Sequence, residues 1–480
     1  MSAGLLMQNS CDVIVTNASV VMPMVGIVET NIMIEGGRIK SLVKSPANIQ
    51  ASRTINASGK YVLPGAIDPH VHYGVYTPID EAAKTESRSA AVGGVTTIMR
   101  MLRLCGSYTR IQKQLEASGG RHFVDYAVHA SILKPEQVHE MQYLKQTGIN
   151  SFKIYMNLGA ELNHILADIE PETYATMDCE VNMDDSLLSS IIEKAAGLNA
   201  ICLVHAEDPA VCSEYIKSGK ERGLSGLKAW SDCRPPSSEA SSVTKVCEIG
   251  RRFAGSLYFV HIGSTAALDA ILAQREKGNL GVYVETCPHY LTHTIDYESV
   301  NGKVVPPLRS KSDLQSTWSA LKNGIIDTVG TDHVANRIAA KTGKGDIWSA
   351  LAGFPGVATM LPVLLGKGVN EGRISLERVV EVTSYNTSRI FGLYPKKGTL
   401  QEGSDADLTI VDLDLEQTVT PDLLQSYSDY TVYDGWKIRG WPIMTLVRGK
   451  VVMEGGKVDE GSLGHGKYIA RPVEPAEISP

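Results

Sequence analysis

The sequence predicts an α/β protein: a closed (β/α)8 barrel of the TIM type, with a small β-sandwich domain built from both ends of the chain. Three observations predict it. The 480 residues are too many for one small core but fit a large barrel with an accessory unit. From about residue 65 to residue 391, short apolar runs alternate with helical stretches, the rhythm of repeated βα units around a parallel sheet. The segments on either side are rich in strand candidates instead.

The elements follow in order. Residues 11–16, 19–21, 30–35 and 39–42 read as short strands, with Gly36-Gly37 as a hairpin turn. Apolar runs of strand length then fall at 94–99, 123–127, 151–155, 200–205, 256–261, 281–285 and 328–331, with helical patterns such as 184–196 and 241–253 between them. Strands return at 407–412, 430–433, 442–448 and 450–454, the last two joined around Gly449. The expected division is a β-sandwich from 1–62 and 392–465, a barrel over 63–391, and an extended tail over 466–480 that ends in a proline-rich stretch.

Composition excludes several classes. Apolar residues make up 43% and charged residues 21%, which is globular rather than disordered or coiled-coil usage. A net charge of −7 without a dense Lys/Arg stripe argues against nucleic acid as a partner. No stretch reaches the roughly 18 apolar residues of a membrane span, and no signal-peptide pattern opens the chain, so the expected location is the cytoplasm and no membrane partner is expected. The eight cysteines are scattered without a Cys-x-x-Cys pair and read as reduced thiols packed as small apolar residues.

The most informative local feature is Asp68-Pro69-His70-Val71-His72, after the apolar run at 61–67. On an extended segment side chains alternate, so His70 and His72 point to one side and can reach one metal ion. A single such pair arises by chance among twelve histidines, and it needs partners. In a barrel of parallel strands, function gathers at the carboxyl ends of the strands. Lys153 lies in Ser-Phe-Lys-Ile-Tyr, His205 ends Ile-Cys-Leu-Val-His, His261 ends Leu-Tyr-Phe-Val-His, and Asp332 follows Val-Gly-Thr. Each alone could be a satisfied core residue or a helix cap; together they fall where the barrel rule places a site. Lys153 stands apart, because an ammonium cannot ligate a cation and its burial is costly unless it is paired or chemically altered.

These motifs resemble the cyclic amidohydrolases, the hydantoinase, dihydropyrimidinase, allantoinase and dihydroorotase branch of the amidohydrolase superfamily. The resemblance rests on Asp-Pro-His-Val-His, Phe-Lys-Ile-Tyr-Met, His-Ala-Glu-Asp at 205–208, Val-His-Ile-Gly-Ser at 260–264, Glu-Thr-Cys-Pro-His-Tyr-Leu at 285–291, Pro-Pro-Leu-Arg at 306–309, Gly-Thr-Asp-His at 330–333 and Gly-Ser-Asp-Ala-Asp-Leu at 403–408. It implies a pair of divalent metal ions, zinc first and manganese or cobalt as substitutes. His70, His72 and Asp332 would hold one ion and His205 and His261 the other. Lys153, carboxylated by CO2 or bicarbonate, would bridge both. It further implies a hydroxide shared by the metals that attacks the carbonyl of a cyclic amide, with Asp332 carrying the proton. The expected substrate is a hydantoin, a dihydropyrimidine or a related ring, with an allantoinase or dihydroorotase as the runner-up. Relatives of this kind assemble as homodimers or homotetramers. Some relatives keep the fold without catalysis as assembly modules, but such proteins lose metal ligands, and all six positions are filled here.

Two departures bear on the substrate. Hydantoinase-like enzymes carry a tyrosine a few residues after the bridging lysine, where this chain has Leu158, which leaves Tyr155 and Asn157 as candidate substrate contacts. Val305 stands before Pro-Pro-Leu-Arg, where hydantoinases tend to have serine, and its main chain is a third candidate. The stretch 159–184 is longer than the family's usual connection, is polar, and is a candidate lid over the substrate.

Overall fold

The sheet at the centre of the molecule is parallel throughout and its strands are almost wholly buried, which is why they read as mostly apolar runs interrupted by a few buried polar residues. A computed structural model describes residues 10–157 and 164–471. Strands Ala66–His72, Val95–Leu102, Asp125–Ser131, Ser151–Tyr155, Ile201–His205, Ser256–Phe259 and Gly281–Thr286 lie side by side in chain order. The next strand comes in two pieces. Thr328–Val329 pairs with Gly281–Thr286, and His333–Val334 pairs with Ala66–His72. This interrupted strand joins the two edges, so the sheet closes as the sequence predicts. Asp332 sits at the interruption with φ of +50°, a left-handed conformation that a non-glycine residue adopts at some cost and that aims its side chain away from the regular pleat.

Helices pack around the barrel by their apolar stripes. Helix Pro236–Arg252 buries Val243, Val246, Cys247 and Gly250, a spacing of three to four that keeps one face inward. Helix Asp185–Gly197 starts at Asp184, whose carboxylate accepts the Leu187 N–H at 2.8 Å.

The two ends of the chain share a second sheet of nine strands. Ser10–Met22 pairs with Gly26–Glu35, and Tyr61–Pro64 joins it to Leu408–Thr418 from the far end of the chain. The strands expected at 11–16 and 19–21 form one, bulged at Asn17, whose φ is +55°. The turn at Gly36-Gly37 has the two positive φ angles that a tight hairpin requires. The strand expected at 430–433 does not form. Tyr430, Thr431, Val432 and Tyr433 are all buried, so the segment has no solvent face to alternate with, and the Tyr430 hydroxyl donates to Asn336 Oδ1 at 2.6 Å. Lys437–Val447 is the strand instead.

The second sheet is bolted to the amino-terminal side of the barrel by a buried ionic cluster. Lys397 Nζ lies 2.7 Å from Asp125, 3.1 Å from Asp405 and 2.5 Å from Asp407, and Arg448 also reaches Asp125. Lys397 sits among all three carboxylates and Arg448 caps Asp125, so the space between the acidic groups is already filled by the protein's own cations and the cluster is read as a structural network. Residues 466–471 of the expected tail run beside Asp125–Ser131, with the Ile469 N–H donating to the Tyr126 carbonyl at 2.7 Å. Residues 472–480 lie outside the described residues.

One expectation about cysteine is corrected. Cys105 and Cys179 are joined as a disulfide, which ties strand Asp178–Glu180 to the loop after Val95–Leu102. The sequence showed no such pairing because 74 residues separate the two positions. The other six cysteines are free and buried. Asp178–Glu180 pairs antiparallel with His164–Leu166, so part of the long connection expected at 159–184 is a short hairpin; Leu158 and residues 159–163 lie outside the described residues.

Candidate metal centre

The carboxyl ends of the barrel strands surround a cavity of about 510 Å³ whose wall includes His70, His72, Lys153, His205, His261 and Asp332, together with Tyr155, Asn157 and Val305. All nine residues singled out in the sequence therefore share one cavity. The geometry divides the six charged and imidazole groups into two sets and a lone amine.

In the first set, Asp332 Oδ1 lies 3.2 Å from His70 Nε2 and 3.1 Å from His72 Nε2. The three donor atoms lie within 4.8 Å of one another, close enough for one ion. Burial lowers the pKa values of both histidines well below the usual range, so the rings are neutral with a lone pair to offer. In the second set, His205 Nδ1 and His261 Nε2 are 3.1 Å apart. His205 Nε2 faces Glu207 Oε2 at 2.9 Å, which assigns the proton to Nε2 and leaves the Nδ1 lone pair pointing at His261. Burial also lowers both of these imidazole pKa values.

Lys153 is fully buried, and its Nζ has no hydrogen-bond partner among the described residues. Burial drives its pKa down to about 8, against the pull of Asp332 and Glu285. An amine held dry and unpaired is the costly arrangement anticipated above.

A layer of buried carboxylates fixes the imidazoles. Glu285 Oε1 lies 2.8 Å from His70 Nδ1 and accepts the His261 N–H at 3.0 Å, while its other oxygen accepts the Tyr258 hydroxyl at 2.9 Å. Burial raises its pKa to about 8. Asp68 accepts from the backbone N–H groups of His70 and Thr331 and from the Thr331 hydroxyl, so it braces the strand and the Asp332 turn, as expected of a supporting residue. Burial raises the Glu207 pKa, but Arg234 outweighs it, gripping both carboxylate oxygens at 3.1 and 2.6 Å and holding the group at about 2. Gly330 belongs to the same layer: a Cβ there would come within 2.6 Å of Glu285 Oε2, so only glycine lets the interrupted strand pass.

Sequence reasoning missed Glu285 as a site residue, although the signal was present. It lies at the end of the run 281–285, where the strand-end rule applies. Glu207, Arg234 and the cavity-lining Arg103 carried no comparable signal, because their roles depend on which loops meet in space.

Residues 61–452 match the model of the amidohydrolase family. The chain is 34% identical over 474 residues to L-hydantoinase from Paenarthrobacter aurescens, covering 96% of this chain and 98% of that protein. It is 31% identical to D-hydantoinase from Geobacillus stearothermophilus, covering 93% of each chain. Among solved structures, L-hydantoinase (dihydropyrimidinase) from Arthrobacter aurescens superimposes with a TM-score of 0.87 at 32% identity, covering 96% of this chain and 100% of that one. Dihydropyrimidinase from Brevibacillus agri NCHU1002 gives 0.85 at 28% identity, covering 96% of this chain and 98% of that one.

Proposed function

This chain belongs to the amidohydrolase family and is a cyclic amide hydrolase, and on that premise we propose that the cavity is a binuclear metal centre opening a hydantoin, a dihydropyrimidine or a related ring. The observation that carries this reading is the pairing of donor atoms. Two separate sets of neutral imidazoles, one with a carboxylate, face into one cavity beside a buried, unpaired lysine. In this reading His70, His72 and Asp332 would hold one ion, His205 and His261 the other, and Lys153, as a carbamate formed from CO2 or bicarbonate, would serve both. Carboxylation answers the cost of the buried amine, since it turns an unpaired cation into an anionic oxygen donor. The donor set suits zinc.

Divalent ions bound there would supply Lewis acidity and would lower the pKa of a shared water toward neutrality. The protein's own groups do the rest. Asp332 takes the proton released as the ring carbonyl is attacked and delivers it to the departing ring nitrogen. Glu285 and Glu207 keep His70 and His205 in one tautomer each. Tyr155, Asn157 and the main chain at Val305 line the space left for the ring. Asn157 is buried with both amide atoms unpartnered among the described residues, so it can both donate to a ring carbonyl and accept from a ring N–H. The hairpin Asp178–Glu180 with His164–Leu166 contributes His164, Ile165, Leu166 and Asp178 to the cavity wall, which supports the lid reading of this segment. The reading takes a homodimer or homotetramer as the assembly and the cytoplasm as the location.

A substrate panel tests the activity. Metal-loaded protein is expected to open at least one of hydantoin, dihydrouracil, allantoin, dihydroorotate or a cyclic imide. Prolonged chelation is expected to remove that activity and zinc with bicarbonate to restore it. Turnover that survives complete chelation would contradict the metal-dependent reading. Failure to open any ring under metal-loaded conditions would contradict the assigned reaction.

A further inference from the structure

We infer that Arg103 is a specificity-determining residue of this site and that the cyclic amide opened here carries a carboxylate on the ring or on a short substituent. The inference rests on the cyclic-amide reading above and names the substrate class within it.

Arg103 follows strand Val95–Leu102 directly and lies on the wall of the same cavity as His72, Lys153 and Asn157. Its side chain is only 13% exposed, and its Nε is buried with no hydrogen-bond partner among the described residues. The adjacent carboxylate does not neutralise it. Asp168 is spoken for: Oδ1 accepts from Arg100 Nη2 at 2.5 Å, and Oδ2 accepts the backbone N–H of Arg103 at 2.6 Å. The Arg103 guanidinium comes no closer to that carboxylate than 4.0 Å, beyond hydrogen-bond reach. Among the described residues two guanidinium groups thus share one carboxylate, and one positive charge is left over beside the cavity.

Position decides where that charge acts. The Arg103 charge opposes the rise that burial imposes on the phenols of Tyr76 and Tyr155, and both tyrosines line the cavity. The other carboxylates on the wall have partners of their own. Asp332 faces His70 and His72, and Asp178 is half exposed and pairs with His164 at 3.2 Å. A guanidinium this little exposed, whose nearest carboxylate among the described residues is 4.0 Å away and already bonded to Arg100, is relieved when a ligand brings an anion of its own. The planar fork of an arginine matches a carboxylate by two parallel N–H···O contacts, better than it matches a neutral carbonyl. Ile165, Leu166, Val334 and Trp348 give the cavity an apolar side for the carbon skeleton. A hydantoin or dihydropyrimidine bearing an acid fits this division of polarity; a purely aliphatic or aromatic substituent leaves Arg103 unpaired.

Matched pairs of rings test the inference: hydantoin-5-acetic acid against its amide, and dihydroorotate against dihydroorotamide. The first pair reports an acid on a substituent and the second an acid on the ring. The metal-loaded wild-type protein is expected to favour the acid of at least one pair by roughly 10- to 100-fold in kcat/KM, the range of a hydrogen bond to a charged group. Arg103→Leu is expected to bring that ratio toward one, mostly through KM for the acid, and Arg103→Lys to keep part of it. The wild-type comparison needs no variant, so it stands even where Arg103→Leu fails to fold. Wild-type protein that opens the neutral rings at least as well as the acids would overturn the inference while leaving the cyclic-amide reading intact. So would an Arg103→Leu protein that loses both members of a pair in equal proportion, since that marks a structural role. If metal-loaded protein opens no ring at all, both readings fall.

Discussion

Replacing Lys153 by alanine is expected to lower turnover of every cyclic amide by roughly 10⁴-fold or more while leaving the chain folded. The size of the effect follows from the position of the amine. Lys153 is the one of the six positions that belongs to neither histidine set, and the proposed carbamate would be the ligand the two sets have in common. Without it the two sets have no common anionic ligand, so metal content is expected to fall with activity. The fold does not depend on the amine in the same way. Its pKa is already pushed down to about 8 by burial, and it makes no hydrogen bond among the described residues, so its removal deletes an unfavourable group. Lys153→Met, which keeps most of the volume, is expected to leave the metal-free melting temperature at or above that of the parent. A small carboxylate such as acetate or propionate fits the space vacated in Lys153→Ala and is expected to recover part of the activity by supplying the missing oxygens. Full metal content and full activity in Lys153→Ala would remove the bridging role.

Asp332→Asn is expected to separate binding from chemistry. Asparagine keeps the size and one oxygen, and it tolerates the left-handed φ of +50° that this position requires, so the interrupted strand keeps its shape. What it loses is the ability to take up a proton. The expected result is a fall in kcat of roughly 10²- to 10⁴-fold, the usual contribution of a positioned general acid or base, with KM changed far less and part of the metal retained. A variant that turns over at the parental rate would show that another group carries the proton. Glu285 is the nearest candidate by chemistry, since burial holds its pKa near 8 and it contacts His70.

How much of this was legible in the sequence depends on how local each feature is. The barrel was legible because a parallel strand buried on both faces is mostly apolar, as Ile201 to Val204 show in Ile201–His205, while Val95–Leu102 keeps the run recognisable despite Thr96, Thr97 and Arg100. The metal-site candidates were legible because a polar residue at the end of such a strand breaks the apolar run where it stops. His205 and Lys153 are buried among residues that are otherwise hydrophobic, and they stand out for that reason. The strand expected at 430–433 failed because β-branched and aromatic residues there serve a packed, irregular segment rather than a pleat. The disulfide was not legible because it joins residues 74 apart, whose proximity is set by the hairpin over the cavity. Arg103 was silent for a related reason. An arginine after a strand is ordinary in sequence; only the placement of Arg100 and Asp168 shows that, among the described residues, it must share a single carboxylate with Arg100. Glu285 was visible but unused, since a glutamate near the end of a strand, followed by Thr286, Cys287 and Pro288, invites no metal role until His70 and His261 are seen to meet it.

The claim at the centre of this account is that six side chains from five strand ends, His70 and His72 sharing one, hold a pair of metal ions with Lys153 carboxylated between them. The measurement that tests it most directly is the metal content of the purified, folded protein, read together with the mass or the carbonyl signal of the modified lysine after loading with zinc in bicarbonate. The account predicts about two ions per chain, the pairing expected of a binuclear hydrolase, with the modification present in loaded protein and absent from Lys153→Met. Folded protein that opens a cyclic amide with no bound metal, or that binds its metals fully with Lys153 unmodified, would contradict it.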